Sequence, residues 1–166
     1  TGLMEMALRA AGPRVLCLVH GAFSERFATI AEALGKEVER IESPLGASPD
    51  LAAARRRLTE HRFDAVTVCL SETSTGVAVS PAEVAAALSE RGAASLLVDA
   101  VTYLGAAAID ASEHGLDFVF AGTQKALALP PGLGLYAVSE AMLERAAAST
   151  ERGFFLDLLR ITEAHA

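Results

Sequence analysis

The chain has 166 residues, 52% of them hydrophobic, with few aromatics, no Trp and a net charge of −7. That length suffices for a domain with a real core, and the Ala-rich composition suits helices packed closely on a sheet. The negative balance argues against a nucleic-acid partner, since phosphate binding needs clustered Lys and Arg, and no apolar run reaches the roughly 18 residues of a membrane span.

The elements follow one another regularly. Residues 3–11 read as a helix, 14–20 as a strand, and "FSERFATIAEAL" (23–34) as an amphipathic helix ended by Gly35. The short strand "EVERIE" and the loop "SPLGAS" come next. The helix "SPDLAAARRRLTEH" is expected to start with Ser48 as N-cap and Pro49 at its first position. Its Arg55-Arg56-Arg57 cluster has acidic neighbours and reads as a solvated face. A strand at 64–70 leads into the loop "SETSTGVAV", where Gly76 is expected to supply a positive φ. "SPAEVAAALSER" carries Glu83 at capping-box spacing from Ser80, and Gly92 ends that helix before the strand "SLLVDA". After "DFVFAG" the pattern changes. The run Leu133–Ser139 follows with no intervening helix, which predicts an antiparallel strand. The tail from Ser149 begins another apolar segment.

Strands alternating with helices of 10–15 residues imply βαβ units, and continuously apolar strand runs imply helices on both faces. The expected fold class is therefore α/β, a three-layer α/β/α domain with a mainly parallel sheet and one antiparallel strand. Cys17 and Cys69 both fall inside strand runs and read as buried thiols of a reducing compartment. The four histidines are scattered and show no metal-ligand spacing. Cytoplasm is the default location.

Ligands of such sheets bind beyond the carboxyl ends of the strands. What stands there is His20 to Phe23, then Ser71 to Gly76, then Asp99, then Gly122 to Lys125. Singly, Asp99 reads as a turn or cap residue, Phe23 as core, "ETSTG" as a polar turn and Lys125 as a surface lysine. "GLGLYA" precedes a strand rather than a helix, so it is no dinucleotide fingerprint. On one rim they form a constellation. A lysine among apolar neighbours is a carbonyl nucleophile, and pyridoxal 5′-phosphate requires such a lysine with an acidic partner for its ring nitrogen. Asp99 would take that partner role and Phe23 would stack on the ring. Thr1 and Gly2, at the amino end of the first helix, would offer N–H groups to the phosphate.

The stretches "TGLMEMAL", "HGAFSERF", "ETSTG", "LLVDAVTYLGA" and "GTQKALALPPGLGLYAVS" resemble the class V, fold-type-I aminotransferases dependent on pyridoxal phosphate, and within them the alanine/serine–glyoxylate (serine–pyruvate) branch. The resemblance runs from the first residues to about position 160. It implies Lys125 as the Schiff-base lysine and proton shuttle, Asp99 as partner of the pyridine nitrogen, Phe23 as the stacking aromatic and Val101 on the opposite ring face. It further implies Thr73 as donor to the phenolic oxygen, Gln124 near the phosphate, and Thr1 and Gly2 at the end of the phosphate cup. Implied partners are an amino-acid donor (serine or alanine), a small 2-oxo acid (glyoxylate or pyruvate) and a second copy of the chain.

The family often has His where Leu70 stands. Its members are also longer, so residues 1–166 are expected to be part of the large domain. The preceding segment and the small C-terminal domain, with the arginine that binds the substrate carboxylate, then lie outside this sequence. Cysteine desulfurases place His where Gln124 and Phe23 stand and need a loop cysteine, and phosphonate transaminases tend to have Asn before the lysine. A remnant that keeps the fold without catalysis is the reading from another class.

Overall fold

A computed structural model describes residues 1–164. In chain order the elements are α1 (Gly2–Ala10), β1 (Arg14–Val19), α2 (Ala22–Ala33), β2 (Glu37–Glu42), α3 (Leu51–Glu60), β3 (Ala65–Cys69), the two short strands β4 (Ser71–Glu72) and β5 (Val77–Ala78), α4 (Pro81–Ala87), β6 (Ser95–Asp99), β7 (Phe118–Gly122), β8 (Gly134–Val138), α5 (Glu140–Ala148) and α6 (Leu158–Glu163). Six strands form one sheet in the order β2-β1-β3-β6-β7-β8, and β4 pairs with β5 as a separate antiparallel hairpin. All neighbours in the large sheet are parallel except β7 and β8, which run from Phe118↔Val138 to Gly122↔Gly134. The connection between them is too short for a crossover helix, and this fixes β8 as antiparallel.

Successive strand side chains point to opposite faces, and the chain uses both. Val15, Cys17, Leu97, Phe118 and Phe120 share one core with Met4, Phe27, Ala28, Ala31, Met142 and Leu158 from α1, α2, α5 and α6. Leu16, Leu18, Val66, Val68, Leu96 and Val98 share the other with Ala54 and Leu58 of α3 and Val84 of α4. These are the three expected layers. Phe118 carries the far end of the first core, stacked on Tyr136 with ring centroids 5.4 Å apart.

Local signals set most boundaries. Ser80 Oγ accepts the Glu83 N–H at 3.1 Å while Glu83 Oε2 accepts the Ser80 N–H at 3.0 Å, completing the capping box. That helix stops at Ala87, short of residue 91, because the Arg91 N–H and guanidinium both donate to Leu88 O. The expected cap of α3 is corrected. Asp50, not Ser48, closes it, accepting the Ala53 N–H at 2.8 Å, and Pro49 lies outside the helix. A carboxylate is the stronger acceptor, and Ser43 Oγ ties down the Asp50 N–H at 3.0 Å, which leaves Ser48 and Pro49 in the entry loop. Helix α5 was not anticipated, although its Ser139 cap and its buried Met142 and Ala146 carry helical spacing. The Arg55 and Arg57 guanidiniums pair with Glu90, Glu39 and Glu60, as a solvated face should. Among the described residues no helix is long and apolar enough to cross a membrane.

Strands β1 and β3 are neighbours, but α2 covers one face of the sheet and α3 and α4 the other. The chain therefore leaves their carboxyl ends in opposite directions, which opens a crevice there.

Candidate functional site

A cleft of about 1240 Å³ opens on this rim. Of the eight positions expected to hold a cofactor, seven line it: Thr1, Gly2, Phe23, Asp99, Val101, Gln124 and Lys125. Residues 1 to 125 thus converge on one space from the ends of α1, α2, β6 and β7.

Asp99 ends β6 and is 4% exposed. Its Oδ1 accepts the Val101 N–H at 2.8 Å. Burial pushes the carboxyl up to about 6, against the pull of that N–H in the other direction. A buried acid held this far above its ordinary range gains from any cation placed beside it, because the partner replaces the water that burial removed.

Lys125 sits in the turn after β7 and is exposed. The expectation of a lysine desolvated by its apolar neighbours is not met within this chain. Leu129, Leu133 and Leu135 are themselves 55%, 69% and 42% exposed, so they do not close over it. The turn itself is tightly built. Thr123 is buried and its Oγ1 donates to Pro130 O at 2.7 Å, while the Leu129 N–H reaches Thr123 O at 3.1 Å and the Ala128 N–H reaches Lys125 O at 2.9 Å. Ala128 takes φ 55°, a left-handed conformation uncommon for a residue with a Cβ. Gly105 (φ 93°) lies against the same turn, where a Cβ would come within 3.2 Å of the Ala126 carbonyl.

Phe23 stands in the first turn of α2, and the Arg26 guanidinium lies 4.9 Å from its ring centroid, also lining the cleft. Thr73 is the exception among the expected residues. It does not line the cleft, and its hydroxyl donates to Thr102 Oγ1 at 3.3 Å. The hairpin turn carries it there, with Gly76 at φ 75° as expected.

Two residues acquire a place that the sequence did not assign. Arg26 follows Phe23 by three positions on an anticipated helix, so i,i+3 spacing is the signal that finds it. Glu72 was visible as a rim residue without a role, and it proves to be fully buried. Its carboxylate accepts hydrogen bonds from Phe23, Ser24 and Ser74 that together outweigh its burial and hold it below the usual carboxylate range. His20 lies close behind, also buried, with neither ring nitrogen partnered among the described residues. Burial holds its pKa below the ordinary value, opposed by the Glu72 charge. Cys17 and Cys69 are buried in β1 and β3, and burial raises both thiols, Cys17 to about 11. Neither is a loop nucleophile.

The sequence profile described as "Aminotransferase class-V" matches residues 12–165. The chain belongs to the class-V aminotransferase family. It is 37% identical to the small subunit of a soluble hydrogenase from a Synechococcus species, over 95% of this chain and 43% of that one. It is 36% identical to serine–glyoxylate aminotransferase of Methylorubrum extorquens, over 92% of this chain and 40% of that one. The crystal structure of alanine–glyoxylate aminotransferase from Nostoc sp. superimposes with a TM-score of 0.90 at 28% identity, covering 99% of this chain and 45% of the other. The class-V chain therefore spans less than half the length of these relatives.

Proposed function

We propose that this chain forms the cofactor-binding part of a pyridoxal-phosphate-dependent aminotransferase. It would carry the amino group of serine or alanine to glyoxylate or pyruvate. The observation that supports this best is the meeting of a desolvated carboxyl, an aromatic and a lysine on one cleft. The residues fit the group: Asp99 offers a buried acid poised to become a carboxylate beside a protonated ring nitrogen, and Phe23 and Val101 offer apolar surface for the ring faces. Thr1 and Gly2 bring the amino end of α1 to the cleft, where N–H groups unused by the helix suit a phosphate. Gln124 lines the wall beside Lys125. Thr73 would have to exchange its Thr102 partner to reach a phenolic oxygen on the ring.

Bound there, the cofactor supplies an aldehyde for an amine and a ring that withdraws electrons from the amino acid's Cα. Lys125 would hold the aldehyde carbon through Nζ. The free Lys125 Nζ would be the base that accepts the substrate's Cα proton and gives it back. Asp99 would keep the ring nitrogen protonated throughout. Lys125 is exposed in the single chain, so water exclusion would fall to parts of the assembly beyond it, in keeping with a homodimer whose sites lie between subunits. A cytoplasmic setting belongs to the same reading, with family membership as its support.

The test is incubation with pyridoxal phosphate, borohydride reduction and peptide mass mapping. A phosphopyridoxyl mass on the peptide carrying Lys125 is the expected result. A protein that takes no adduct, or takes it on another lysine, overturns the proposal and favours a fold retained without catalysis.

A further inference from the structure

Glu72 opens the β4–β5 hairpin, far in sequence from the helix it serves. Its Oε2 accepts the Phe23 N–H at 3.1 Å, the Ser24 N–H at 3.0 Å and the Ser24 hydroxyl at 3.0 Å. Its Oε1 accepts the Ser74 N–H at 3.2 Å and the Ser74 hydroxyl at 2.6 Å. Ser74 Oγ in turn accepts the Ala22 N–H at 2.9 Å. Three successive N–H groups of the first turn of α2 thus end on two side chains of a different loop. Helix starts are ordinarily closed by their own N-cap, but here that position is Gly21, which has no side chain to offer. It cannot have one, because a Cβ on Gly21 would lie 2.3 Å from Glu72 Cγ and 2.6 Å from Ser74 Oγ. The helix start and the hairpin are built for each other, and Phe23 is the residue whose backbone they grip.

We propose that Glu72 is a positioning residue of the cleft: from the neighbouring loop it grips the Phe23 backbone and so sets the aromatic wall at a fixed place relative to Asp99, without touching the cofactor. The inference rests on the cofactor reading above for what Phe23 does, and on the hydrogen bonds alone for what Glu72 does. A negative charge suits the positive end of α2, and a carboxylate can accept all of these donors at once. An amide cannot, since one of its two heads presents N–H to N–H.

Two measurements test it. The first needs no cofactor: the backbone amides of Phe23 and Ser24 are followed by nuclear magnetic resonance in the intact protein. At neutral pH they should exchange slowly with solvent, and their shifts should move with the titration of Glu72, which lies below the ordinary 4.5. The other titrating groups near this carboxylate are Asp99, with a midpoint of about 6, the buried His20 ring, and the Cys69 thiol, which burial raises far above neutral pH. Amides that exchange as freely as an exposed turn, or that follow a transition near 6, overturn the proposal.

The second uses the loaded protein and Glu72→Gln. Losing a charge-assisted acceptor while leaving N–H groups unpaired corresponds to about a tenfold weaker hold on pyridoxal phosphate. The visible circular dichroism of the fully loaded variant should also change, while its far-ultraviolet spectrum does not. A variant with unchanged affinity and dichroism sinks the idea. If Glu72→Gln does not fold, the amide measurements on the parent decide. A parent that takes no pyridoxal phosphate refutes the cofactor reading, and the amides still judge the grip.

Discussion

Replacing Asp99 by Asn should make the empty protein more stable, and the gain should depend on pH. The carboxyl ionises near 3.8 in an unfolded chain but at about 6 in the folded one, where burial opposes its charge. Its contribution to stability is fully present below 3.8 and is lost as pH rises through 6. The two midpoints differ by about two pH units, which corresponds to roughly 3 kcal/mol at pH 8. Asn cannot ionise, and its carbonyl oxygen can keep the 2.8 Å bond from the Val101 N–H. Urea unfolding of parent and Asp99→Asn, free of cofactor, should therefore give curves whose gap is near zero at pH 4 and widens to about 3 kcal/mol by pH 8. A gap that stays constant across that range would refute the argument, since burial would then not be what holds the carboxyl up. With pyridoxal phosphate bound the sign should reverse. On the proposed cofactor reading the variant would lose the anion that would face the ring nitrogen, and its affinity for the cofactor should fall.

Lys125→Ala should abolish the reducible cofactor adduct with little effect on unfolding, because the lysine is exposed; a melting temperature lowered by many degrees would mean that it also braces the turn. Gly21→Ala drives a methyl group into Glu72 and Ser74 and should cost about 1–3 kcal/mol by chemical denaturation. An unchanged midpoint would show that the hairpin moves aside freely. Ala128→Gly relieves a left-handed alanine at φ 55° and should stabilise by about 0.5–1 kcal/mol after the entropy of the added glycine is deducted; destabilisation would mean that the methyl group packs usefully.

Much of this was legible in the chain. Period and length alone marked the strand cores, because β3 and β6 are buried on both faces and tolerate only apolar runs. Ser80 and Glu83 announced their own capping box, since all the atoms involved lie within four residues. The antiparallel β8 followed from a connection too short to cross the sheet. The rim follows from parallel strands sharing one carboxyl end, and that alone puts Asp99, Phe23 and Lys125 on one edge of the sheet.

Three features came only with the tertiary structure. Lys125 is exposed although its turn is rich in apolar residues, because Leu129, Leu133 and Leu135 stay exposed themselves and bury nothing over it. Thr73 follows the paired residues of the β4–β5 hairpin, and its hydroxyl donates to Thr102, a partner 29 residues away, instead of lining the cleft. Glu72 became the partner of Phe23 across 49 residues of chain. Sequence fixes what each residue can do with its near neighbours. Exposure and long-range hydrogen bonds are sums over every element packed around a residue, and those sums exist only once the chain has folded.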